Sequence, residues 1–294
     1  MLVELGMRFT GARPPVQLIR GRGLHVLDGV PVWEESPDRQ NRGCPGRHPE
    51  RAEVLLLGSS ITYGSGLGAD EAFSHLLEEK LNEQQPTPGF CVLNFAQPGF
   101  SFEQKYAVAK QEVVRYRPAL VLWESWVEWM DYAMIGRYAY GVTGYRLRSD
   151  GAVGIRGMPT GLNGFLFRNL RAYEYIALSV GEKGGLSFDD QGRNFAKERL
   201  GRVPALASSV GAKLAIYPAT PLDRSFAETA ASPPAWHDVI AEFGRSNGIP
   251  VYPLQQELLA EDPLKLRMDP CCHFNAQGHQ VLAPLMARIV FETL

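Results

Sequence analysis

Short apolar runs alternate with amphipathic stretches from residue 53 onward. Each run is too short for a helix and is followed by turn residues, which is typical of buried parallel strands. The runs are VLLLG (54–58), CVLNFA (91–96), ALVLWE (119–124), KLAIYPA (213–219) and IPVYPL (249–254).

Apolar residues recur at helical spacing between these runs. Helices are predicted at 70–84, 102–117, 233–248 and 275–293, and Asn275 is the predicted N-cap of the last one. The first of them places four apolar residues on one face, namely Phe73, Leu76, Leu77 and Leu81. Strands that alternate with helices predict an α/β fold, a three-layer α/β/α sandwich around a flavodoxin-like parallel sheet.

The alternation of strands and helices predicts one domain, and two regions of the chain do not follow it. Residues 1–50 are rich in Arg, Pro and Gly and are predicted to be an N-terminal extension with short β elements. Residues 51–294 form the domain, which is interrupted by an insertion at about 131–200. The insertion is rich in Tyr and Gly in its first half and helical in pattern in its second, at 165–182 and 190–208. Its length favours a lid or a substrate wall.

Charge and hydropathy exclude two classes of partner. The 30 Lys and Arg residues nearly balance the 32 Asp and Glu residues, for a net charge of −2, and no basic block stands out. Binding to nucleic acid through phosphate neutralisation is therefore not expected. No uninterrupted apolar window is long enough to span a membrane. The oligomeric state stays open.

The four cysteines predict neither a disulfide framework nor a metal site. Two of them are adjacent, and the set is Cys44, Cys91, Cys271 and Cys272. The N-terminus also lacks the pattern of a signal peptide, so we expect reduced cysteines and a cytoplasmic location. Cys271, Cys272 and His273 lack the C-x-x-C spacing of a zinc site, and no cofactor is predicted.

Three turns carry candidate chemistry, because ligands of open α/β sheets bind beyond the carboxyl ends of the strands. The first, GSSITYG (58–64), contains Ser60; the alternative is that its hydroxyls only cap the next helix. The second, NFAQPGFS (94–101), contains Gly99, whose amide can approach a ligand closely unless the glycine only serves a type II turn. The third, before the last helix, contains Asp269 and His273, and a His held by a carboxylate can act as a general base.

These pieces, in this order, resemble the GDSL, or SGNH, hydrolase superfamily of serine esterases and acyl-transferring enzymes. The resemblance covers roughly residues 40–290, although its specific motifs are short. It implies that Ser60 is the nucleophile, His273 the base and Asp269 the residue that orients the imidazole. It also implies an oxyanion hole formed by the Ser60 and Gly99 amides. Asn94 matches the Asn of the second motif block and is a candidate substrate-binding residue.

The implied function is hydrolysis of a carboxylic ester, an O-acetyl or small acyl ester, through an acyl-enzyme. Two alternatives stay open: acyl transfer to a second alcohol or amine, and a non-catalytic binding protein on the same fold. The near-neutral charge favours an uncharged small-molecule acyl ester as the partner.

Three departures from the family pattern bear on activity. Ser59 stands where an Asp is usual, and Asp269 lies four residues before His273 instead of three. The wider spacing puts the Asp–His hydrogen bond in question, and without that bond Ser60 and His273 would work as a dyad. Glu128 stands where the family carries an oxyanion-binding Asn.

Glu128 has three interpretations. An ionised carboxylate would repel an oxyanion. Burial among Trp123, Trp126 and Trp129 would favour a protonated carboxyl that donates a hydrogen bond or serves as an additional acid or base. In the second interpretation Glu128 is ionised, and the oxyanion hole rests on the Ser60 and Gly99 amides alone. In the third, Glu128 is a surface residue outside the site. The three Trp side chains either pack in the core or line an acyl pocket.

A Glu128→Gln variant distinguishes these interpretations. Gln keeps the hydrogen-bonding shape but cannot ionise, so a catalytic Glu128 predicts that the pH–rate profile of ester hydrolysis changes. An unchanged profile and rate would remove Glu128 from the mechanism.

Overall fold

The computed structural model describes the strands of the N-terminal region and most of the α/β domain. The described residues are 24–27, 30–33, 50–87, 89–98, 100, 102–125, 190–219, 235–259, 261–269 and 273–294.

A parallel sheet forms the centre of the domain. Its strands are β3 (Ala52–Leu57), β4 (Phe90–Asn94), β5 (Leu120–Ser125) and β6 (Lys213–Pro218), in the spatial order β4-β3-β5-β6. Two further strands, β1 (Leu24–Leu27) and β2 (Val30–Trp33), pair antiparallel within the predicted extension. The parallel sheet with flanking helices confirms the predicted α/β fold class.

Helices follow the strands at most of the predicted positions. In chain order the described helices are α1 (Ser60–Tyr63), α2 (Phe73–Gln84), α3 (Phe102–Tyr116), α4 (Asp190–Leu200), α5 (Val203–Ser208), α6 (Ala235–Asn247), α7 (Gln255–Leu259), α8 (Pro263–Leu266) and α9 (Ala276–Thr293). Asn275 caps α9 as predicted, because its side-chain oxygen accepts the Gly278 amide. The predicted helix at 165–182 lies outside the described residues.

The fifth predicted strand, at 249–254, is reduced to a single parallel bridge between Val251 and Ile216. Pro250 and Pro253 surround that bridge. Proline has no N–H to donate to a ladder, so a longer pairing with β6 is interrupted. The apolar pattern identified a buried segment correctly, but its prolines prevent a full strand.

Alternate residues of each strand enter two separate cores, one on each face of the sheet. Along β3, Leu55 and Leu57 join one core with side chains from α3. Val54 and Leu56 join the other with side chains from α2 and α9. All four are essentially unexposed, so the strand is buried on both faces and the sheet is the middle of three layers.

The cysteine prediction is wrong for Cys91. Cys91, which is buried on β4, is disulfide-bonded. The expectation of a cytoplasmic location rested partly on reduced cysteines and loses that support. Among the described helices, none is both long and apolar enough to cross a membrane.

His237 on α6 is a buried imidazole whose protonation opposes folding. Its side chain is 6% exposed, and the Gln255 amide nitrogen lies 3.0 Å from its Nε2 atom. Burial lowers the pKa of His237 from 6.5 to about 4. The unfolded chain therefore binds a proton at a pH where the folded chain does not.

We predict that the free energy of unfolding falls as the pH is lowered from 6.5 towards 4. The His237 contribution to that fall is up to about 3 kcal/mol, since each pKa unit corresponds to about 1.4 kcal/mol. Urea denaturation at pH 7 and pH 4.5 measures it. His237→Gln should lose less stability over this interval than the wild type. An equal loss in wild type and His237→Gln would contradict the assignment.

Candidate active site

Ser60 lies at the turn that follows β3. The chain leaves the sheet at Leu57 and enters the short helix α1, whose first residue is Ser60. Ser59 is the N-cap, and its side-chain oxygen accepts the Ile61 amide at 3.4 Å. Gly64 ends the helix with φ of 74°, a left-handed conformation that glycine adopts without strain. The capping interpretation therefore holds for Ser59, and the Ser60 side chain points elsewhere.

The Asp269 and His273 side chains are brought together by backbone pairing on either side of them. After α8, Arg267 forms an antiparallel bridge with Phe274. The Met268 amide donates to the His273 carbonyl oxygen at 2.8 Å. The two segments are thus antiparallel, with Met268 opposite His273 and Asp269 as the next residue along the first segment.

Three side chains form one hydrogen-bonded line. His273 Nδ1 lies 2.5 Å from Asp269 Oδ2, and His273 Nε2 lies 2.9 Å from Ser60 Oγ. Asp269 Oδ1 also accepts the His273 backbone amide, at 3.3 Å. The four-residue spacing therefore still permits the Asp–His contact. A nucleophile, a base and a group that orients the base in this geometry have the arrangement of a serine triad.

The amides around Ser60 differ in their partners. Those of Ser59 and Thr62 donate to Glu124, and that of Ile61 donates to Ser59. Within the described residues the Ser60 amide has no acceptor. It is therefore available to a negatively charged oxygen bonded to the acyl carbon, which is the role predicted for it.

Asn94 lies beneath the site instead of at its surface. Only 3% of it is exposed. Its side-chain nitrogen donates to the Thr62 carbonyl at 2.9 Å and to Ser74 Oγ at 3.2 Å, and its oxygen accepts the Ala96 amide at 3.0 Å. Asn94 thus holds the loop after β4 against the turn after β3, and a direct contact with substrate is not what this geometry favours.

Trp123 packs in the core. The side chain has no exposed surface, and its ring contacts Phe102, with the Lys105 ammonium 4.2 Å from the ring centre. Of the two interpretations of this side chain, core packing fits and pocket lining does not. The other predicted site residues, Gly99, Trp126, Glu128 and Trp129, lie outside the described residues. In the described segments no cluster of His, Cys, Asp or Glu is suited to a metal ion.

The sequence prediction missed Glu124, which is buried directly under the turn that carries Ser60. Its carboxylate accepts hydrogen bonds from the Ser59 and Thr62 amides and from the Thr62 hydroxyl. Tyr217 extends the network, with its hydroxyl 2.6 Å from Thr62 Oγ1. Burial, and next the charge of Glu124, raise the pKa of Tyr217 well above 10, so the phenol stays protonated. The sequence feature that could have identified Glu124 is its position as the one charged residue of the apolar run ALVLWE, at the carboxyl end of a predicted strand.

Comparisons with known proteins find similar solved structures. No protein-family model matches the chain, and no curated protein matches it. A catalytic mutant of the acetylxylan esterase Axe2 from Geobacillus stearothermophilus is similar with a TM-score of 0.50 and 12% identity, covering 83% of this chain and 94% of that one.

Two further solved structures have similar scores. A member of the lipolytic G-D-S-L family from Veillonella parvula has a TM-score of 0.49 and 12% identity, covering 83% of this chain and 100% of that one. A lipase/acylhydrolase from Enterococcus faecalis has a TM-score of 0.48 and 14% identity, covering 81% and 95%. The likeness to the Axe2 structure concerns the fold alone and agrees with the predicted α/β fold class.

Asp269→Asn tests whether the site is a triad or a dyad. An Asn side chain can present its NH₂ group to the imidazole, which favours the wrong tautomer, and in a serine triad this change lowers kcat by about 10⁴-fold. We expect a loss of that order in the hydrolysis of p-nitrophenyl acetate, with an unchanged melting temperature. A loss below about tenfold would instead indicate a dyad in which Asp269 is dispensable.

Proposed function

We propose that this protein is a serine hydrolase that cleaves a carboxylic ester with a small acyl group, such as an O-acetyl ester. The observation that carries the proposal is the continuous hydrogen-bonded line from Asp269 through His273 to Ser60. The side chains of His273 and Asp269 are 23% and 34% exposed, so the line opens to solvent at the carboxyl edge of the sheet, where a substrate can reach it.

In the proposed mechanism His273 acts first as a base and then as an acid. Its Nε2 atom accepts the Ser60 hydroxyl proton while Ser60 Oγ attacks the acyl carbon of the ester. Asp269 accepts the Nδ1–H bond and stabilises the imidazolium. His273 then gives the proton to the leaving alcohol, and an acyl-enzyme remains on Ser60. Water, deprotonated by His273, releases the acid and restores the serine.

The oxyanion of the tetrahedral intermediate is proposed to bind the Ser60 amide. The Gly99 amide is the second proposed donor. A single donor of this kind contributes about 2.7–4 kcal/mol to transition-state stabilisation. Backbone donors need no titration, so this part of the site works equally well over a wide pH range.

The proposed partner is an uncharged small-molecule acyl ester. The net charge of −2 gives the protein no strong general attraction for polyanions. Nothing in the hydrogen-bonded line depends on the identity of the alcohol, so the proposal is limited to the acyl side of the bond.

A serine-directed fluorophosphonate probe tests the nucleophile. We expect the wild type to be labelled, because an activated serine hydroxyl attacks phosphorus as it would attack an acyl carbon. Ser60→Ala should not be labelled, and its hydrolysis of p-nitrophenyl acetate should fall to the buffer rate. Gel fluorescence and peptide mapping of the labelled protein give the readout.

Ser65→Ala is the matched control. Ser65 lies in the same turn and donates its amide to the Ser60 carbonyl, but its buried hydroxyl has no hydrogen-bond partner among the described residues. It should be labelled as fast as the wild type. Equal labelling of wild type and Ser60→Ala, or none of the wild type, would reject the proposed function.

A further inference from the structure

We infer that Glu124 is a positioning residue that fixes the turn carrying Ser60, so that the Ser60 hydroxyl faces His273 and its amide stays available to the oxyanion. This inference rests on the proposed serine hydrolase function. It assigns a role in the reaction to a side chain that contacts neither His273 nor Ser60 Oγ.

The two carboxylate oxygens of Glu124 bind the turn on both sides of Ser60. Oε1 accepts the Ser59 amide at 3.1 Å, and Oε2 accepts the Thr62 amide at 3.1 Å. One rigid planar group therefore holds the peptide units 58–59 and 61–62, which lie on either side of Ser60. Hydrogen bonds to a charged acceptor are roughly twice as strong as neutral ones, so this turn is held more firmly than helix capping alone would hold it.

The surroundings of Glu124 are built around its carboxylate. The residue is 1% exposed, and a buried carboxylate is costly unless its oxygens are bonded. A Cβ atom at Gly58 would lie within 2.8 Å of Glu124 Oε2 and would also collide with the Thr62 side chain. Glycine at this position thus allows the carboxylate to approach the turn. The Lys105 ammonium donates to the Glu124 carbonyl oxygen at 2.5 Å, which brings a positive charge to the same strand end.

A chain of hydroxyl groups reaches the carboxylate from β6. The Thr62 hydroxyl donates to Glu124 Oε2 and lies 2.6 Å from the Tyr217 hydroxyl. Because the Thr62 proton is directed to Glu124, the Tyr217 hydroxyl is the donor in the second contact. The high pKa of Tyr217 keeps that proton in place over the working range of a hydrolase. The turn is thus connected to β5 and β6 at once.

The hydrogen-bond partners of the backbone amides of residues 59–62 connect the position of Glu124 to the proposed oxyanion hole. Glu124 and Ser59 together occupy the amides of Ser59, Ile61 and Thr62. The Ser60 amide alone, within that described stretch, is left to a ligand. A preorganised donor avoids reorganisation during the reaction, which is the main source of its catalytic effect.

Glu124→Gln is the first test, because it keeps the shape and replaces one oxygen with an NH₂ group. In either orientation that NH₂ group faces a backbone amide that also donates, so one of the two contacts is lost. We expect the rate constant for fluorophosphonate labelling, and kcat for p-nitrophenyl acetate, to fall by about 10- to 100-fold, the effect of one hydrogen bond to a charged group. KM should change less than threefold, since Glu124 does not touch substrate.

The labelled fraction separates positioning from simple destabilisation. A turn held in the wrong geometry reacts slowly but to completion, so the final labelled fraction should equal that of the wild type. If Glu124→Gln merely unfolds some molecules, the labelled fraction falls and the rate constant does not, and the inference is overturned. Glu112→Gln is the matched control: Glu112 is 1% exposed on α3, outside the contacts described here, and its rate constant should equal the wild-type value.

Thr62→Val keeps the inference testable if Glu124→Gln does not fold. Val preserves the shape and the backbone amide of residue 62 but removes the hydroxyl between Glu124 and Tyr217. We expect a fall in the labelling rate constant of about three- to tenfold, the effect of one neutral hydrogen bond, with a full final labelled fraction. A wild-type rate constant in both folded variants would overturn the inference and leave the hydrolase proposal intact. A wild type that does not label at all would reject both.

Discussion

The pairing register of β3 with its two neighbours is the constraint on which the site depends. Leu56 lies opposite Asn94 of β4, and Leu57 lies opposite Trp123 of β5. The next residue of β5 is Glu124, so the turn after β3, Asn94 and the Glu124 carboxylate all emerge at one level of the sheet. A shift of one residue would turn each side chain to the opposite face and would exchange the two cores. The register is therefore fixed by apolar burial on both faces, and the polar groups at the carboxyl edge take their positions from it.

Two carboxylates at that edge, Asp269 and Glu124, lie in different environments and bind different partners. Asp269 is one-third exposed and contacts the His273 imidazole. Glu124 is enclosed and acts on backbone amides. Enclosure strengthens hydrogen bonds to Glu124 because water does not compete for them, although the same enclosure would be costly without its donors. In the proposed reaction the exposed carboxylate would respond to the changing charge of His273, whereas the buried one would hold the turn that carries Ser60 in a constant position.

The sequence predicted most of the scaffold and the three residues of the hydrogen-bonded line, Ser60, His273 and Asp269, for identifiable reasons. Periodicity identified β3 to β6 because strands buried on both faces are continuously apolar, and Asn275 was recognised from its capping chemistry. The predicted strand at 249–254 does not form in full because apolar burial and ladder pairing are separate requirements. The segment meets the burial requirement, but Pro250 and Pro253 have no N–H group for the pairing. The role of Glu124 could not be predicted because its hydrogen-bond partners are 62 to 65 residues away in sequence. Only the pairing register of β3 and β5 brings them together.

The contact between Ser60 and His273 joins residues separated by 213 positions, so the two loops need a common support. His279 supplies part of it. This side chain is 1% exposed on α9, and its Nδ1 atom accepts the Phe73 amide at the start of α2, at 2.8 Å. The turn that carries Ser60 leads towards α2, and the loop with His273 leads into α9. The hydrogen bond from Phe73 to His279 therefore ties the helices that follow both loops. A distance of a few ångströms between Ser60 and His273 is maintained because Glu124 fixes one loop from the sheet and His279 joins the other to it through the helices.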